Sequence, residues 1–375
     1  MKKPEILDTR IICESTNPLF PYFAWPSVAR LSESTLGMTA SGFRVKHVCP
    51  FGKGVLCYSH DEGATWSAPG VIIDTPLDDR DCGIVPFGNH QVIFTSFNNG
   101  LAFQREVNGM DRAQPCAAAR ERADFIQAYL RYARALQVED EYIGSTYRIS
   151  YDDGATFGAL RRAPVSAPHG PCRLNDGTLL FIGTRFNGDP NRPLEKGEAG
   201  DIQCWRMDAA GAFIHVSSIE NASDEDGPME SCEPHAIQLP NGKIIVHIRM
   251  QREGEHKVFT LYQSESFDNG LSFTRPHAVM HALGGAPAHL LAHSGGVLVS
   301  AYGHRESPYG IRAMLSKDEG ETWDVDWILA DQGMSSDLGY PATVERKDGS
   351  LLSVYYQNLG GKSVITQCIW RLPTF

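Results

Sequence analysis

The stretch Ser59-His-Asp-Glu-Gly-Ala-Thr-Trp66 decides the fold, because the chain repeats its pattern three more times. The pattern is Ser-x-Asp-x-Gly-x-Thr/Ser followed by an aromatic residue, and the other copies begin at Ser150, Ser266 and Ser316. A tight turn explains these residue types. Gly adopts backbone angles that other residues avoid, Asp accepts hydrogen bonds from backbone N–H groups, and the aromatic side chain packs between neighbouring sheets. Four copies in register predict a protein built from repeated small β-sheets.

A second repeat is a short turn between two apolar stretches, and Asn-Gly or Asp-Gly at such a position is a hairpin signal. The six copies are LSESTLGM (31–38), FGNHQVIF (87–94), LNDGTLLF (174–181), LPNGKIIV (239–246), HSGGVLVS (293–300) and RKDGSLLS (346–353). A period near 50 in an all-β chain is typical of a β-propeller with one four-stranded sheet per repeat. The turns therefore predict an all-β, six-bladed β-propeller in a single domain over residues 1–375. We expect the run around Ile11–Cys13 to complete the last blade and close the ring.

One interval between turns is longer than the others, and residues 112–138 account for it. They are rich in Ala, Arg and Glu, which favour helix, so we predict a helical insertion in blade 2. One face of this helix carries the apolar residues Phe125, Tyr129, Tyr132 and Leu136. This face either packs on the propeller or forms a rim wall or a contact in a homo-oligomer.

The net charge of −11 is spread along the chain, which argues against nucleic acid or an anionic membrane as the main partner. The N-terminal residues contain no apolar stretch of signal-peptide length, so we expect a cytoplasmic protein. The nine cysteines show no CxxC pair and no metal-ligand spacing, which indicates reduced thiols and no metal.

Propeller geometry predicts which residues meet at one mouth of the ring. The first strand of each blade starts, and the second strand ends, opposite the hairpin turns. These positions carry Asp81, His169, Glu233 and Tyr340 at the starts and Arg44, Arg185, Arg249 and Arg305 at the ends. Several guanidinium groups facing one cavity suit a carboxylate or phosphate. Together with Asp, Glu and Tyr they suggest cleavage of an anionic sugar.

At these residues the chain resembles the sialidase (neuraminidase) superfamily over nearly its whole length, and the repeated turn matches that family's Asp box. The resemblance implies that an arginine triad holds the substrate carboxylate, a Tyr attacks the anomeric carbon, a Glu accepts the Tyr proton, and an Asp is the acid/base. The stretch from Glu233 to Arg249 matches the Glu and the second arginine. Tyr340, in Asp337-Leu-Gly-Tyr-Pro341, matches the nucleophile. Arg312 or Arg305 matches the third arginine.

Two departures from the family pattern stand out. The family's first arginine lies in an Arg-Ile-Pro motif, where this chain has Ala24-Trp25-Pro26, and Arg44 is the candidate replacement. The family's acid/base Asp lies in a loop that corresponds to residues 42–50, which contain no carboxylate. The candidate replacements are Asp78, Asp79, Asp81 and His47.

The resemblance therefore implies a retaining glycosidase that acts on a terminal acidic sugar, either sialic acid or a related 2-keto or uronic acid, without a cofactor. Tyr340 attacks, Glu233 (or Glu230) is its base, and Asp81 or Asp79 is the acid/base. The binding residues are Arg44, Arg249 and Arg312, with Arg305, Arg185, His47 and His169 as further candidates. Two alternatives stay open: a uronate lyase in which His47 or His235 removes a proton, and a non-catalytic sugar-binding propeller.

Overall fold

A computed structural model describes residues 2–110, 117–137, 139–185, 202–208, 211–280 and 284–374. In these ranges the chain forms 26 strands and three helices, and antiparallel sheets take a propeller-like arrangement. None of the helices in the described part combines the length and apolar character that a membrane span requires.

The N-terminal strands belong to one eight-stranded sheet. They are β1 (Glu5–Cys13), β2 (Tyr22–Ser32), β3 (Thr35–Arg44), β4 (Lys53–Ser59) and β5 (Gly70–Ile73). The strands β2 to β5 pair in chain order as an antiparallel meander, and the hairpin sequence 31–38 connects β2 to β3.

The next sheet contains the helices. Its elements are β6 (Arg80–Phe87), β7 (Gln91–Asn98), α1 (Leu101–Met110), α2 (Ala117–Ala135), α3 (Glu139–Tyr142), β8 (Gly144–Ser150) and β9 (Arg161–Ala163). The four strands pair in the order β6-β7-β8-β9, so the helices lie between the second and third strands. Residues 112–116 and 138 of the predicted helical segment lie outside the described residues.

Helix α2 packs against loop residues such as Val45, Cys49 and Leu77, with a different face from the one that the sequence pattern indicates. The buried residues of α2 are Ala123, Ile126, Leu130 and Ala133, whereas Phe125, Tyr132 and Leu136 are exposed. Tyr129 is half-buried, and its hydroxyl donates to the Pro76 carbonyl oxygen at 2.9 Å. Two alanines occupy core positions, and this shifts the buried stripe by about one residue relative to the aromatic side chains.

The third sheet follows the order β10 (Cys172–Arg173), β11 (Leu179–Thr184), β12 (Ile202–Met207) and β13 (Phe213–Ile219), and a ribbon of β14 (Ser223–Asp224) and β15 (Gly227–Pro228) follows it. The fourth consists of β16 (Glu230–Gln238), β17 (Ile244–Arg252), β18 (Val258–Ser266) and β19 (His277–Ala278). The fifth consists of β20 (Gly285–Ala292), β21 (Leu298–His304), β22 (Gly310–Ser316) and β23 (Asp324–Ala330).

The last strands are β24 (Gly339–Glu345), β25 (Leu351–Leu359) and β26 (Lys362–Arg371), and they join the two ends of the chain. β26 pairs antiparallel with β25 and with β1, where Cys13 lies opposite Ile365. A single parallel bridge between Tyr22 and Ser363 connects it to β2. The eight-stranded sheet therefore contains two antiparallel four-stranded groups, and the N-terminal strand completes the C-terminal one as expected.

The four repeated turns connect the third and fourth strands of their sheets. In the first, the Ser59 hydroxyl donates to Asp61 at 2.9 Å and accepts from the Gly63 N–H at 2.9 Å, while Thr65 N–H donates to Asp61 at 2.8 Å. The other three turns repeat these hydrogen bonds. The Asp carboxylates thus act as turn caps on the surface.

The aromatic residue of a repeated turn ties neighbouring sheets together. The Trp66 indole N–H donates to Gln367 of β26 at 2.8 Å, and the Trp323 indole N–H donates to Gln263 of β18 at 2.8 Å. The Trp66 bond joins the two four-stranded groups of the eight-stranded sheet, and the Trp323 bond joins the fifth sheet to the fourth, which supports an arrangement in a ring.

Candidate active site

A cavity of about 670 Å³ lies where the first strands start and the second strands end. Its wall includes six of the residues that the sequence predicts: His47, Asp81, Arg185, Glu233, Arg249 and Tyr340. The structure thus brings residues from distant parts of the chain to one surface, at the mouth of the ring that the sequence predicts.

The strand starts share an unusual backbone. Trp25, Asp81, Glu233 and Tyr340 have positive φ angles of 53°, 45°, 50° and 49°, and each lies at a register shift between the first two strands of its sheet. Non-glycine residues in this region cost roughly 1–3 kcal/mol each and are found where function requires them. Three of the four residues line the cavity. Positive φ therefore recurs at the same strand position in several sheets, and this position contributes residues to the cavity wall.

Tyr340, Glu233 and Arg249 form one hydrogen-bonded chain. The Tyr340 hydroxyl donates to Glu233 Oε1 at 2.5 Å, and Arg249 Nη1 donates to Glu233 Oε2 at 2.6 Å. Burial raises the pKa of Glu233, but Arg249 and the Tyr340 hydroxyl outweigh this effect, and the net pKa is lowered. Burial and the nearby Glu233 and Asp81 carboxylates raise the pKa of Tyr340. At rest the phenol is therefore protonated beside an ionised carboxylate.

Arg305, rather than Arg312, lies beside Tyr340. The guanidinium carbon of Arg305 is 5.4 Å from the centre of the Tyr340 ring, and Arg305 Nε donates to the Leu338 carbonyl oxygen at 3.0 Å. The Phe259 ring has the guanidinium carbons of Arg249 and Arg305 at 4.7 and 5.7 Å from its centre. Arg305 thus lies beside the tyrosine but is not among the residues that line the cavity, whereas Arg249 lines the cavity and is connected to the tyrosine through Glu233.

Arg312 lies outside the cavity wall, although the sequence makes it a carboxylate-binding candidate. Its Nη1 donates to the carbonyl oxygen of Ala330 at 2.8 Å, and its Nη2 donates to that of Pro308 at 3.4 Å. It therefore holds backbone groups of the fifth sheet in place.

Asp81 and Asp79 have different environments despite their spacing of two residues. Asp81 is buried in the cavity wall, and its Oδ1 has no hydrogen-bond partner among the described residues. Burial, opposed by Arg80 and assisted by Glu233, raises the pKa of Asp81 to about 7. Asp79 lies behind the wall, where it accepts hydrogen bonds from the Thr75 N–H at 2.6 Å and the Thr75 hydroxyl at 2.9 Å. Asp81 is thus positioned for acid/base chemistry, and Asp79 caps a turn.

Arg44 is fully buried behind the cavity wall. It forms an ion pair with Asp78 at 2.6 Å, and its Nη1 and Nη2 donate to the Ser41 hydroxyl and the His47 carbonyl oxygen, both at 2.8 Å. These contacts fix the loop that carries His47. They leave Arg44 in a supporting position.

His169 lies in a buried cluster of imidazoles outside the cavity wall. Its Nδ1 is 2.7 Å from the Ser27 hydroxyl, and its ring contacts those of His235 and His289 at 5.5 and 5.0 Å. Burial lowers the pKa of all three histidines, so they are neutral. No group of His, Cys, Asp and Glu in the described ranges is arranged to hold a metal ion.

The sequence model of the BNR repeat-like domain family matches residues 104–353. The chain belongs to the BNR repeat-like domain family. A search of curated proteins found no match.

Solved structures with the same fold include two sialidases and a protein of unknown function. A protein of unknown function from Dyadobacter fermentans matches with a TM-score of 0.74 and 20% identity, over 100% of both chains. The NanB sialidase from Streptococcus pneumoniae has a TM-score of 0.65 and 11% identity, over 97% of this chain and 70% of its own. A Trypanosoma rangeli sialidase has a TM-score of 0.60 and 12% identity, over 98% of this chain and 57% of its own. At these identities the likeness shows the fold alone.

Two residues of this BNR domain site are missing from the sequence-based set. Asp337 accepts hydrogen bonds from the Tyr22 and Tyr356 hydroxyls at 2.9 Å each and bonds to His47 Nδ1 at 2.9 Å. Arg80 lines the cavity and lies on the face of Trp25. Both residues stand in stretches that the sequence analysis singles out, next to Tyr340 and Asp81, but their roles depend on contacts across the ring.

The helices contribute to the same cavity. Gly100 and Phe103 lie on its wall, and Gln104 Nε2 of α1 donates to Asp78 Oδ2 at 2.8 Å. The helical segment is therefore anchored to the loop behind the cavity and forms part of its rim, while Arg185 lies on the wall next to Thr184.

Proposed function

We propose that this protein is a retaining glycosidase that releases a terminal acidic sugar, with Tyr340 as the nucleophile. The observation that carries the proposal is the 2.5 Å hydrogen bond from the Tyr340 hydroxyl to Glu233 on the cavity wall. A phenol is a weak nucleophile until a base accepts its proton, and Glu233 is in place to accept it. A neutral nucleophile also avoids repelling a substrate carboxylate.

In the first step the Tyr340 oxygen attacks the anomeric carbon while its proton passes to Glu233. Asp81, whose pKa is raised to about 7, donates its proton to the oxygen of the leaving group as the glycosidic bond breaks. In the second step the Asp81 carboxylate removes a proton from water, which attacks the glycosyl–tyrosine. The phenolate then leaves and recovers its proton from Glu233. The two steps regenerate both residues without a cofactor.

The acidic group of the substrate is assigned to the arginines near Tyr340. Arg249 and Arg305 both hold guanidinium groups close to the Phe259 ring, and two such groups near each other suit a carboxylate. Two of the similar structures reported above are sialidases, and one Trypanosoma rangeli sialidase was solved with sialic acid. We therefore propose sialic acid or a related 2-keto or uronic acid as the sugar.

We also propose that the eight-stranded sheet counts as two blades. Among the described residues, one bridge between Tyr22 and Ser363 pairs the strands of its two antiparallel groups, and the groups otherwise pack through side chains, which supports a ring of six blades. In this account residues 1–375 form one domain, and α1 and α2 are a helical insertion in the second blade.

A uronate lyase is the second candidate, because His47 is oriented like a base. Its Nδ1 is 2.9 Å from Asp337 and 2.8 Å from the Tyr22 hydroxyl, and its ring lines the cavity. Burial, together with Arg80 and Arg44, lowers the pKa of His47 despite Asp337. A neutral imidazole in such a position can remove a proton next to a carboxylate.

One set of assays separates these functions. The protein is incubated with aryl glycosides of sialic, deaminated sialic, glucuronic and galacturonic acids, beside Tyr340→Phe and Glu233→Gln. Tyr355→Phe is the matched control, since Tyr355 is a buried tyrosine outside the cavity wall, and Glu230→Gln tests the other candidate base, which also lines the cavity. Cleavage that only the first two variants lose supports the hydrolase. A product with a new ultraviolet-absorbing double bond, lost in His47→Ala, supports the lyase. No cleavage of any acidic glycoside overturns both.

A further inference from the structure

Trp25 occupies the strand start where the sialidase resemblance places an arginine. Its side chain is buried, with 1% of the residue exposed, and it shares the positive φ of Asp81, Glu233 and Tyr340. The first strand therefore starts with an indole at this position. Arg44 of the same sheet also lies near the ring, with its guanidinium carbon 4.7 Å from the ring centre, but it is fully buried and paired with Asp78.

Arg80 of the second sheet lies on this indole. Its guanidinium carbon is 4.0 Å from the centre of the Trp25 ring, close enough for a cation–π contact. Arg80 also lines the cavity, and only 9% of its side chain is exposed. The centre of the Trp25 ring is also 6.4 Å from the centre of the Tyr340 ring.

The carboxylates near Arg80 leave its charge incompletely neutralised. Asp78 lies 2.6 Å from Arg44 and accepts from Gln104 at 2.8 Å, but its contact with Arg80 is 3.5 Å long. Arg80 Nη1 has one further contact, with the His47 carbonyl oxygen at 3.2 Å. Its buried Nε has no hydrogen-bond partner in the described part of the chain. A buried donor without a partner is costly, so the protein alone does not saturate the hydrogen-bonding capacity of this guanidinium.

We propose that Arg80 binds the acidic group of the sugar, and that it supplies from the second sheet, on the Trp25 ring, a guanidinium that this strand start lacks. The inference rests on the proposed function insofar as the ligand is an acidic sugar. It differs from that function because it requires binding alone. Arg44, which the sequence indicates for this role, is fully buried in its ion pair with Asp78.

The test measures binding by isothermal titration calorimetry. The probes are N-acetylneuraminic, glucuronic and galacturonic acids, followed by the methyl ester of the acid that binds most tightly. Arg80→Gln is expected to weaken binding of the acid by roughly 10- to 100-fold, the range for a hydrogen bond to a charged group, and to change binding of the ester by less than about threefold. Arg275→Gln is the control, because this exposed arginine bonds to Ser223 and lies outside the cavity wall.

Arg80→Lys keeps the result decisive where the Gln variant is poorly folded. Lysine retains the charge but lacks the planar fork that lies on the indole, so we expect a loss intermediate between the unaltered protein and Gln. Unchanged acid binding in both variants, equal losses for acid and ester, or no binding of any acid by the unaltered protein would each overturn the proposal. A protein that binds acids through Arg80 but cleaves no glycoside retains this inference and loses the hydrolase. Cleavage of a glycoside, with normal affinity for the acid in both variants, retains the hydrolase and overturns this inference.

Discussion

The hydroxyl of Tyr340 donates a 2.5 Å hydrogen bond to Glu233, a residue 107 positions earlier in the chain. Both residues lie at the start of a first strand, and both have positive φ angles. The phenol thus meets its base through the ring of sheets, and the pair is the centre of the proposed chemistry.

Removing the phenolic oxygen tests the nucleophile. Tyr340→Phe is expected to lower kcat by at least about 1,000-fold while the acidic sugar still binds, because the attack is lost and the arginines remain. Steady-state kinetics and calorimetry measure the two effects. Turnover within tenfold of the unaltered enzyme would exclude the tyrosine as nucleophile.

Replacing the base gives a smaller effect. Glu233→Gln keeps the shape but cannot accept the phenolic proton, so we expect kcat to fall by roughly 100- to 10,000-fold. In a protein that already carries Tyr340→Phe, the further change Glu233→Gln should lower kcat only a little more, since the two residues act as one unit. Independent, multiplicative losses in the double variant would argue for separate roles.

The buried carboxyl of Asp81 predicts a pH-dependent stability. Its pKa of about 7 exceeds the ordinary value of 3.8, so the folded state binds the proton more tightly and this group costs stability as the pH rises from about 4 to 7. Asp81→Asn should therefore be more stable than the unaltered protein at pH 8, by at most about 4 kcal/mol, with a smaller difference at pH 4. Urea unfolding at both pH values measures this. A difference that does not grow with pH would contradict the prediction.

The ionisation of Asp81 also predicts the alkaline limb of the pH profile of kcat/KM. Loss of the Asp81 proton above about pH 7 removes the general acid, so kcat/KM should fall there. In Asp81→Asn this limb should disappear, and substrates with good leaving groups should retain more activity than those with poor ones. An unchanged alkaline limb in the variant would assign the acid to another residue.

The two arginines of the fifth sheet should behave differently. Arg305→Gln is expected to raise KM by roughly 10- to 100-fold, since it removes a guanidinium beside Tyr340. Arg312→Gln should lower the melting temperature and leave KM nearly unchanged, because its partners are the backbone carbonyls of Ala330 and Pro308. Thermal unfolding and kinetics on both variants decide the assignment, and the reverse pattern would restore Arg312 to the site.

The sequence predicts well those site residues that recur at one position of the repeat. Glu233, Arg249 and Tyr340 follow from the hairpin turns, which set where each first strand starts and each second strand ends. The choice between Arg305 and Arg312 does not follow from this pattern. It depends on where the second strand of the fifth sheet stops, and Arg305 directly follows its last residue, His304.

Contacts across the ring lie beyond any local pattern. Asp337 meets Tyr22, which is 315 residues away, and Arg80 meets Trp25 of a neighbouring sheet. Asp79 and Asp81 differ because the register shift at the strand start turns Asp81 into the wall, whereas the side chain of Asp79 reaches back to Thr75. The sequence pattern also fails to predict helix α1, because Gly109 and the buried polar residues Gln104 and Asn108 interrupt its apolar stripe.

The most direct measurement is mass spectrometry of the intact enzyme and its peptides after reaction with an activated fluoro derivative of the acidic sugar that it cleaves. Such a derivative slows the hydrolysis of a covalent intermediate. The account predicts one added sugar, attached to the peptide that contains Tyr340 and absent in Tyr340→Phe. A sugar attached to Asp81 or Glu233, or turnover of the derivative without any covalent adduct, would contradict it.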